Sequence, residues 1–326
     1  MSMFVPWQRQ PGSSPLTVAD LAHTGQVVFG ELLTALLTNA LGHCPSPRLA
    51  LAGGCALNSA WNGRITVDSP IEALHVPCAP GDDGNALGAA LLAFHEDHRD
   101  VPVSSSAATP YLGSRLSQER IRQVVEYGGL GAEALCDAEM LPRVASMLAD
   151  GKLVGWAQGR AEFGPRALGH RSILADPRDP GMKDRINGEV KFREGFRPFA
   201  PSILPEHGQA YFEDYQASPY MDRALRVRPE MRDRIPAVVH EDGTARLQTV
   251  NEEWAPRYAR LLREFHRLTD VPILLNTSFN VMGKPIVHTV EDALAVFHTT
   301  GLDALVLEDT LIIKGSAARS AQRDKA

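Results

Sequence analysis

Arg48-Leu-Ala-Leu-Ala-Gly-Gly54 is a short apolar run that ends in two adjacent glycines. Such a run suits a buried strand, and the glycine pair lets bare backbone turn tightly and approach a ligand. Upstream, apolar residues recur at helical spacing from Thr17 to about Leu41 (Val18, Leu21, Leu32, Leu33, Leu36, Leu37), with Asp20 in the first turn and Gly42 after the last. Downstream, Ile71-Glu-Ala-Leu-His-Val76 reads as a second strand, and Pro80-Gly-Asp-Asp-Gly-Asn85 leads into a helix from Ala86 to about Glu96. Helix, strand, glycine turn, helix, strand, glycine turn, helix is an α/β pattern. Asp82 and Asp83 at the last helix start suit capping as well as ligand contact.

Residues 101–110, rich in Pro, Ser and Ala, read as a linker. Beyond it the pattern predicts helices around Gln118–Glu126 and Ala138–Asp150, then the strand Leu153-Val-Gly-Trp-Ala157. A polar, Arg-rich stretch covers 221–250. It is followed by a helix over Ala255–Thr269, the strand Val271-Pro-Ile-Leu-Leu275, a helix over Val290–Thr299 and the strand Ala304-Leu-Val-Leu307. Residues 1–16 read as irregular and 316–326 as a polar tail, and no internal repeat is visible.

The chain's 326 residues leave room for two domains, and 44% hydrophobic with 22% charged residues is a globular composition. A net charge of −6 gives no general attraction to nucleic acid or acidic membranes. Four cysteines (Cys44, Cys55, Cys78, Cys136) lack metal-site or disulfide-framework spacing, and Cys55 and Cys78 are expected as small buried thiols. With no signal-peptide pattern and no apolar run of spanning length, the expectation is a cytoplasmic protein that engages neither membrane nor nucleic acid. His95 and His98 stand one turn apart among charged neighbours, the pattern of a wet helix end rather than a metal site.

The charge balance reverses within 151–200, where ten Lys/Arg face six Asp/Glu. Arg160, Arg166, Arg171, Lys191, Arg193 and Arg197 fall on Gly- and Pro-broken backbone rather than on a helical face. Arginine offers a planar fork and lysine a point charge to oxyanions, so an anion site drawing on at least three of these cations is expected. Internal salt bridges to Glu162, Asp176, Asp184 and Glu194 are the competing use. Leu274-Leu-Asn-Thr-Ser-Phe-Asn280 stands where a strand should end, and alternation puts Asn276, Ser278 and Asn280 on one side. His170, inside the cluster, suits either a substrate contact or a structural role.

Gly53-Gly-Cys-Ala-Leu-Asn-Ser-Ala-Trp-Asn-Gly-Arg64, Gly164-Pro-Arg-Ala-Leu-Gly-His-Arg-Ser-Ile-Leu-Ala-Asp-Pro-Arg178, Lys191-Phe-Arg-Glu-Gly-Phe-Arg-Pro-Phe-Ala-Pro201, and Leu274–Asn280 with Gly283-Lys-Pro-Ile286 together resemble the O-carbamoyltransferases of the NodU and aminoglycoside-tailoring type. The resemblance runs over about residues 17–315. It implies part of an actin/sugar-kinase-like (ASKHA) ATPase domain over 17–100 and a YrdC-like α/β domain over 111–315. It further implies that carbamoyl phosphate and ATP form carbamoyl-adenylate, and that the carbamoyl group then passes to a hydroxyl of a small natural product.

On this resemblance Arg160, Arg166, Lys191, Arg193, Arg197, Arg246, Ser278 and Asn280 are similar to the carbamoyl-phosphate and ATP site, with Lys191, Arg197 and Ser278 as its catalytic members. Gly53, Gly54, Asn58 and Asp83 are similar to the nucleotide loop of the ATPase part, Asp83 also to its ligand for a divalent metal, Fe or Mg. The family's first phosphate loop and histidine pair have no counterpart in this chain. A homo-oligomer or a complementary subunit is therefore expected, and a non-catalytic carbamoyl-phosphate or nucleotide-binding module is the alternative reading.

Overall fold

The apolar residues after Thr17 wind into α1 (Ala19–His43), entered through a 3-10 turn at Pro15–Val18. Leu37 is the one residue α1 buries, while Leu21, Val27, Val28, Leu32 and Leu36 stay exposed. Next come β1 (Arg48–Ala50), α2 (Ser59–Asp68), β2 (Ala73–His75) and α3 (Asn85–Asp97). β1 and β2 pair in parallel, with Leu49 opposite Leu74. This is a computed structural model that describes residues 8–102 and 109–315. Most of the expected linker, much of the irregular N-terminus and the whole tail lie outside the described residues.

The chain divides into two units. One takes the residues up to Ala50 with Ile65–His75, and the other takes Leu51–Arg64 with everything from Val76 onward. Segments 51–64 and 76–100, read from sequence with the first part, thus cluster with the larger unit.

The larger unit continues with α4 (Gln118–Tyr127), β3 (Ala132–Ala134), α5 (Asp137–Ala149), β4 (Val154–Ala157), β5 (Arg171–Ala175), α6 (Met182–Ile186), β6 (Ala200–Ile203) and α7 (Gly208–Tyr211). It closes with β7 (Arg223–Arg226), β8 (Thr244–Thr249), α8 (Pro256–Thr269), β9 (Ile273–Ser278), α9 (Val290–Thr299), β10 (Ala304–Leu307) and β11 (Thr310–Ile313). Among the described residues nine strands form one mixed sheet in the order β3-β11-β10-β4-β5-β9-β6-β8-β7. The β10–β4 and β6–β8 pairs are parallel and the rest antiparallel. The α/β class read from sequence is the class observed.

Burial follows period. Tyr258, Leu261, Leu262 and Phe265 on α8, and Met140, Leu141, Val144 and Leu148 on α5, recur at three and four residues and are buried. Asp137 links the two helices by accepting from Arg257 Nε at 2.7 Å and from Arg260. Proline 272 lacks the amide a ladder needs, so β9 starts at Ile273, later than the apolar run suggests, and continues to Ser278. β5 to β8 lie in stretches that read only as basic or polar. Cys55 is exposed and Cys78 half-buried, against expectation. Cys55 lies in a 3-10 turn (Gly54–Leu57) whose inward residue is the neighbouring Ala56. Among the described residues no helix is long and apolar enough to cross a membrane.

Candidate active site

α6 runs into a single π-turn, Asn187–Lys191, closed by Phe192 in the left-handed region (φ 50°, ψ 51°). The wider turn changes the direction of its last side chain, a device common at functional sites. Lys191 is only 2% exposed. Its Nζ donates to Ser278 O (2.5 Å), Asn280 Oδ1 (2.8 Å), Asn280 O (3.0 Å) and Ser278 Oγ (3.2 Å). Ser278 Oγ in turn donates to Asn280 Oδ1 at 2.7 Å, and Asn280 Nδ2 donates to Lys284 O at 2.7 Å. The antiparallel register of β9 with β5 sets Ser278 opposite Ser172 at the strand's end.

Burial, reinforced by the nearby positive Arg193, pushes the Lys191 ammonium down to about 7. The four oxygens oppose this by favouring the protonated form. Lys191 is thereby poised near neutrality.

Arg193 adjoins this lysine, and Arg246 lies near both Arg193 and Arg166. Arg246, on β8, is pushed down to about 9 by burial, with Arg166 and Arg193 repelling it, and its Nε is buried without a partner. Burial also lowers Arg166, and neither it nor Arg246 pairs with a carboxylate among the described residues. Arg193 donates from Nε to Asn187 Oδ1 at 2.7 Å and lies over the Phe199 ring at 4.9 Å. Burial lowers Arg193, and the charge of Arg197, which is exposed and bridged to Glu194 at 2.9 Å, adds to this. Mutual repulsion in a buried region is costly, and an anion that reaches all three guanidinium groups relieves it.

Other expected members lie elsewhere. Arg160 is exposed and donates from Nη1 to Gly113 O at 3.0 Å. Arg171, counted among the cations by sequence, is fully buried and donates only to main-chain carbonyls. His170 stacks on Tyr111 at 3.5 Å between ring centres and donates from Nδ1 to Arg160 O at 2.8 Å. Burial drops its pKa to about 4, so it is neutral at pH 7. Asn276 is buried in the sheet, donating to Gln248 Oε1 (2.8 Å) and Ser202 Oγ (3.1 Å), apart from the Lys191 group.

The two glycine turns meet where Gly53 N donates to Pro80 O at 2.7 Å, with Gly54 opening the 3-10 turn that follows. Asn58 Oδ1 accepts from Trp61 N at 3.1 Å, the geometry of a helix cap on α2. Asn62, which carried no signal in the sequence, is buried and donates to Ala56 O (2.7 Å) and Asp222 O (2.9 Å). It pins the Gly53–Asn58 turn to the chain entering β7. Asp83 is exposed, and among the described residues no three His, Cys, Asp or Glu side chains are grouped to hold a metal. The donor set around Asp83 in this chain therefore does not fit a metal ion.

Partly buried guanidinium groups short of counter-charge, near a lysine ringed by oxygens, mark a candidate anion site in an α/β protein. The chain belongs to the carbamoyltransferase family: residues 5–91 match the model for the carbamoyltransferase N-terminus and residues 145–314 that for the carbamoyltransferase C-terminus. Nodulation protein NolNO of Sinorhizobium fredii is 45% identical over 83% of this chain and 40% of its own length. Nodulation protein U of the same species is 38% identical over 81% of this chain and 46% of its own. The chain thus spans about half the length, or less, of these curated relatives. Full-length HypF, solved with phosphate and nucleotide, is 20% identical over 53% of this chain and 25% of its own, with a TM-score of 0.37. A Sua5 variant from P. abyssi is 13% identical over 51% of this chain and 49% of its own, with a TM-score of 0.34. Neither overlap adds to the assignment.

Proposed function

We propose that this chain is a carbamoyltransferase, or a subunit of one, that uses carbamoyl phosphate and ATP to carbamoylate a hydroxyl of a small natural product. The carrying observation is the grouping of Arg246 with Arg166 and Arg193, the first two without carboxylate partners among the described residues, with Arg193 next to the Lys191, Ser278 and Asn280 cluster. Water releases phosphate from carbamoyl phosphate, leaving carbamate. A carbamate oxygen then attacks the α-phosphorus of ATP, pyrophosphate departs, and carbamoyl-adenylate forms. Negative charge grows on the departing pyrophosphate, where fixed cations in a water-poor site are worth most. Attack by an acceptor hydroxyl on the carbamoyl carbon then forms the carbamate ester and releases AMP. In this reading residues 111–315 act as a YrdC-like activating domain, and 17–100 as part of an ASKHA-type transfer domain.

Exchange of labelled pyrophosphate into ATP that requires carbamoyl phosphate is the expected result with the purified chain. Ligand binding without exchange would instead identify a non-catalytic carbamoyl-phosphate or nucleotide-binding module.

A companion surface belongs to the same proposal. On α3, Leu87, Leu91, Leu92 and Phe94 are 43%, 43%, 60% and 39% exposed. Contiguous exposed apolar residues mark association. We place a second copy or a complementary subunit on this face, which would also supply metal ligands beside Asp83. Sedimentation of the chain, alone and with a full-length relative, should show self-association or a mixed complex. Leu91→Glu should abolish it, and a monomer that binds neither would sink the idea.

A further inference from the structure

Arg166 stands on an arch, residues 163–167, that contributes no strand or helix to the fold. Loops with buried backbone must find partners for every amide and carbonyl. Here two charged side chains of the same segment serve. Glu162 Oε1 accepts from the amides of Leu168 (2.7 Å), His170 (2.8 Å) and Arg171 (3.2 Å), all on the far side of the arch. Arg171 donates to the carbonyls of Gln158 (2.8 Å), His170 (2.9 Å), Ser114 (3.0 Å) and Gly159 (3.1 Å). Leu168 O is held from two sides, by Tyr111 OH at 2.9 Å and Gln248 Nε2 at 2.8 Å. Both feet of the arch are therefore fixed by bonds that involve no ligand, and among the described residues the guanidinium at its crown has no carboxylate to lean on.

We propose that Glu162 is the positioning residue for Arg166: by gathering three amides onto one oxygen it closes the arch and holds that guanidinium ready for an anion. The proposal rests on the anion-site reading above. Three charge-assisted bonds fix the loop before binding, so the ordering cost is met during folding rather than at association. Glu162 touches no ligand itself. Its contribution passes through Arg166 and should vanish when Arg166 is absent.

The probe is inorganic pyrophosphate, titrated calorimetrically into the full chain. Arg166→Ala and Glu162→Gln should each weaken binding, the latter about tenfold, and the double variant should bind no worse than Arg166→Ala alone. Glu162→Gln combined with Lys191→Ala should instead be additive, an outcome that a merely loosened fold does not produce. An affected Arg166→Ala with additive behaviour in the first cycle would overturn this proposal alone. An Arg166→Ala that binds like the unsubstituted chain would overturn the anion-site reading as well. Glu162→Asp, whose shorter reach misses the amides, replaces Glu162→Gln if the latter does not fold. Hydrogen exchange on the unsubstituted chain gives a result in any case. The amides of Leu168, His170 and Arg171 should be protected without ligand, and protection that appears only with pyrophosphate would refute a preformed arch.

Discussion

Lys191→Met should lower carbamoyl-phosphate-dependent pyrophosphate exchange by about 10²–10³-fold, the loss typical of removing one preorganised donor to developing charge. The variant keeps the volume and the buried stem but leaves four oxygens on Ser278 and Asn280 without their shared donor. A second measurement separates charge from shape. In the free chain Lys191 is held near 7, so at pH 8 it is mostly neutral. A bound anion favours the ammonium, so binding at pH 8 should take up about one proton, and much less at pH 6. Affinity should accordingly fall as pH rises above about 7. Calorimetry in buffers of different ionisation enthalpy reads the uptake, and Lys191→Met should lose it.

The same shift bears on stability. A lysine depressed in the folded state contributes stability that is full above its unfolded value of 10.5 and lost as pH falls through about 7. The unsubstituted chain should therefore gain stability between these limits relative to the variant. Equal pH profiles would show that the four oxygens outweigh burial and hold the proton throughout.

What the sequence made legible was what repeats. α5, α8 and α9 bury residues at helical period, and β4 and β10 are unbroken apolar runs, so their positions follow from pattern alone. The β7–β8 hairpin reads as a polar stretch because Arg223 and Arg246 dominate it, although Ala245 and Leu247 alternate inward. The site divides along the same line. Lys191, Ser278 and Asn280, which the family resemblance singles out, are hydrogen-bonded to one another. Arg171 looks like one more cation in sequence, because a sequence shows a charge but not the carbonyls that will surround it. Glu162, Asn62 and Asn187 belong to no period, and only the fold reveals that each collects backbone or arginine partners from distant positions.

Gly169→Ala, two residues past the arch, should be a strongly damaging single-methyl change. Gly169 adopts φ 102°, where a side chain costs about 1–2 kcal/mol. Its added Cβ would stand 2.3 Å from Tyr258 Cδ1. Tyr258 is fully buried on α8 and its ring has nowhere to move without disturbing the core, which adds about 1–3 kcal/mol. Together these predict a loss of about 2–5 kcal/mol and a melting temperature lower by roughly 10 °C. Gly88→Ala is the control, since nothing lies within 4 Å of its added methyl and its position on α3 is helical. There the expected change is neutral or slightly stabilising. Gly169 also lies between two of the amides that Glu162 gathers, so the variant should lose pyrophosphate affinity even at temperatures where it remains folded. Tyr258→Leu in the same chain should reduce the cost of Gly169→Ala by removing the obstructing ring. If Gly169→Ala instead melted with its parent and bound pyrophosphate normally, the arch would be soft, and the rigidity attributed to its Glu162 clasp would be lost with it.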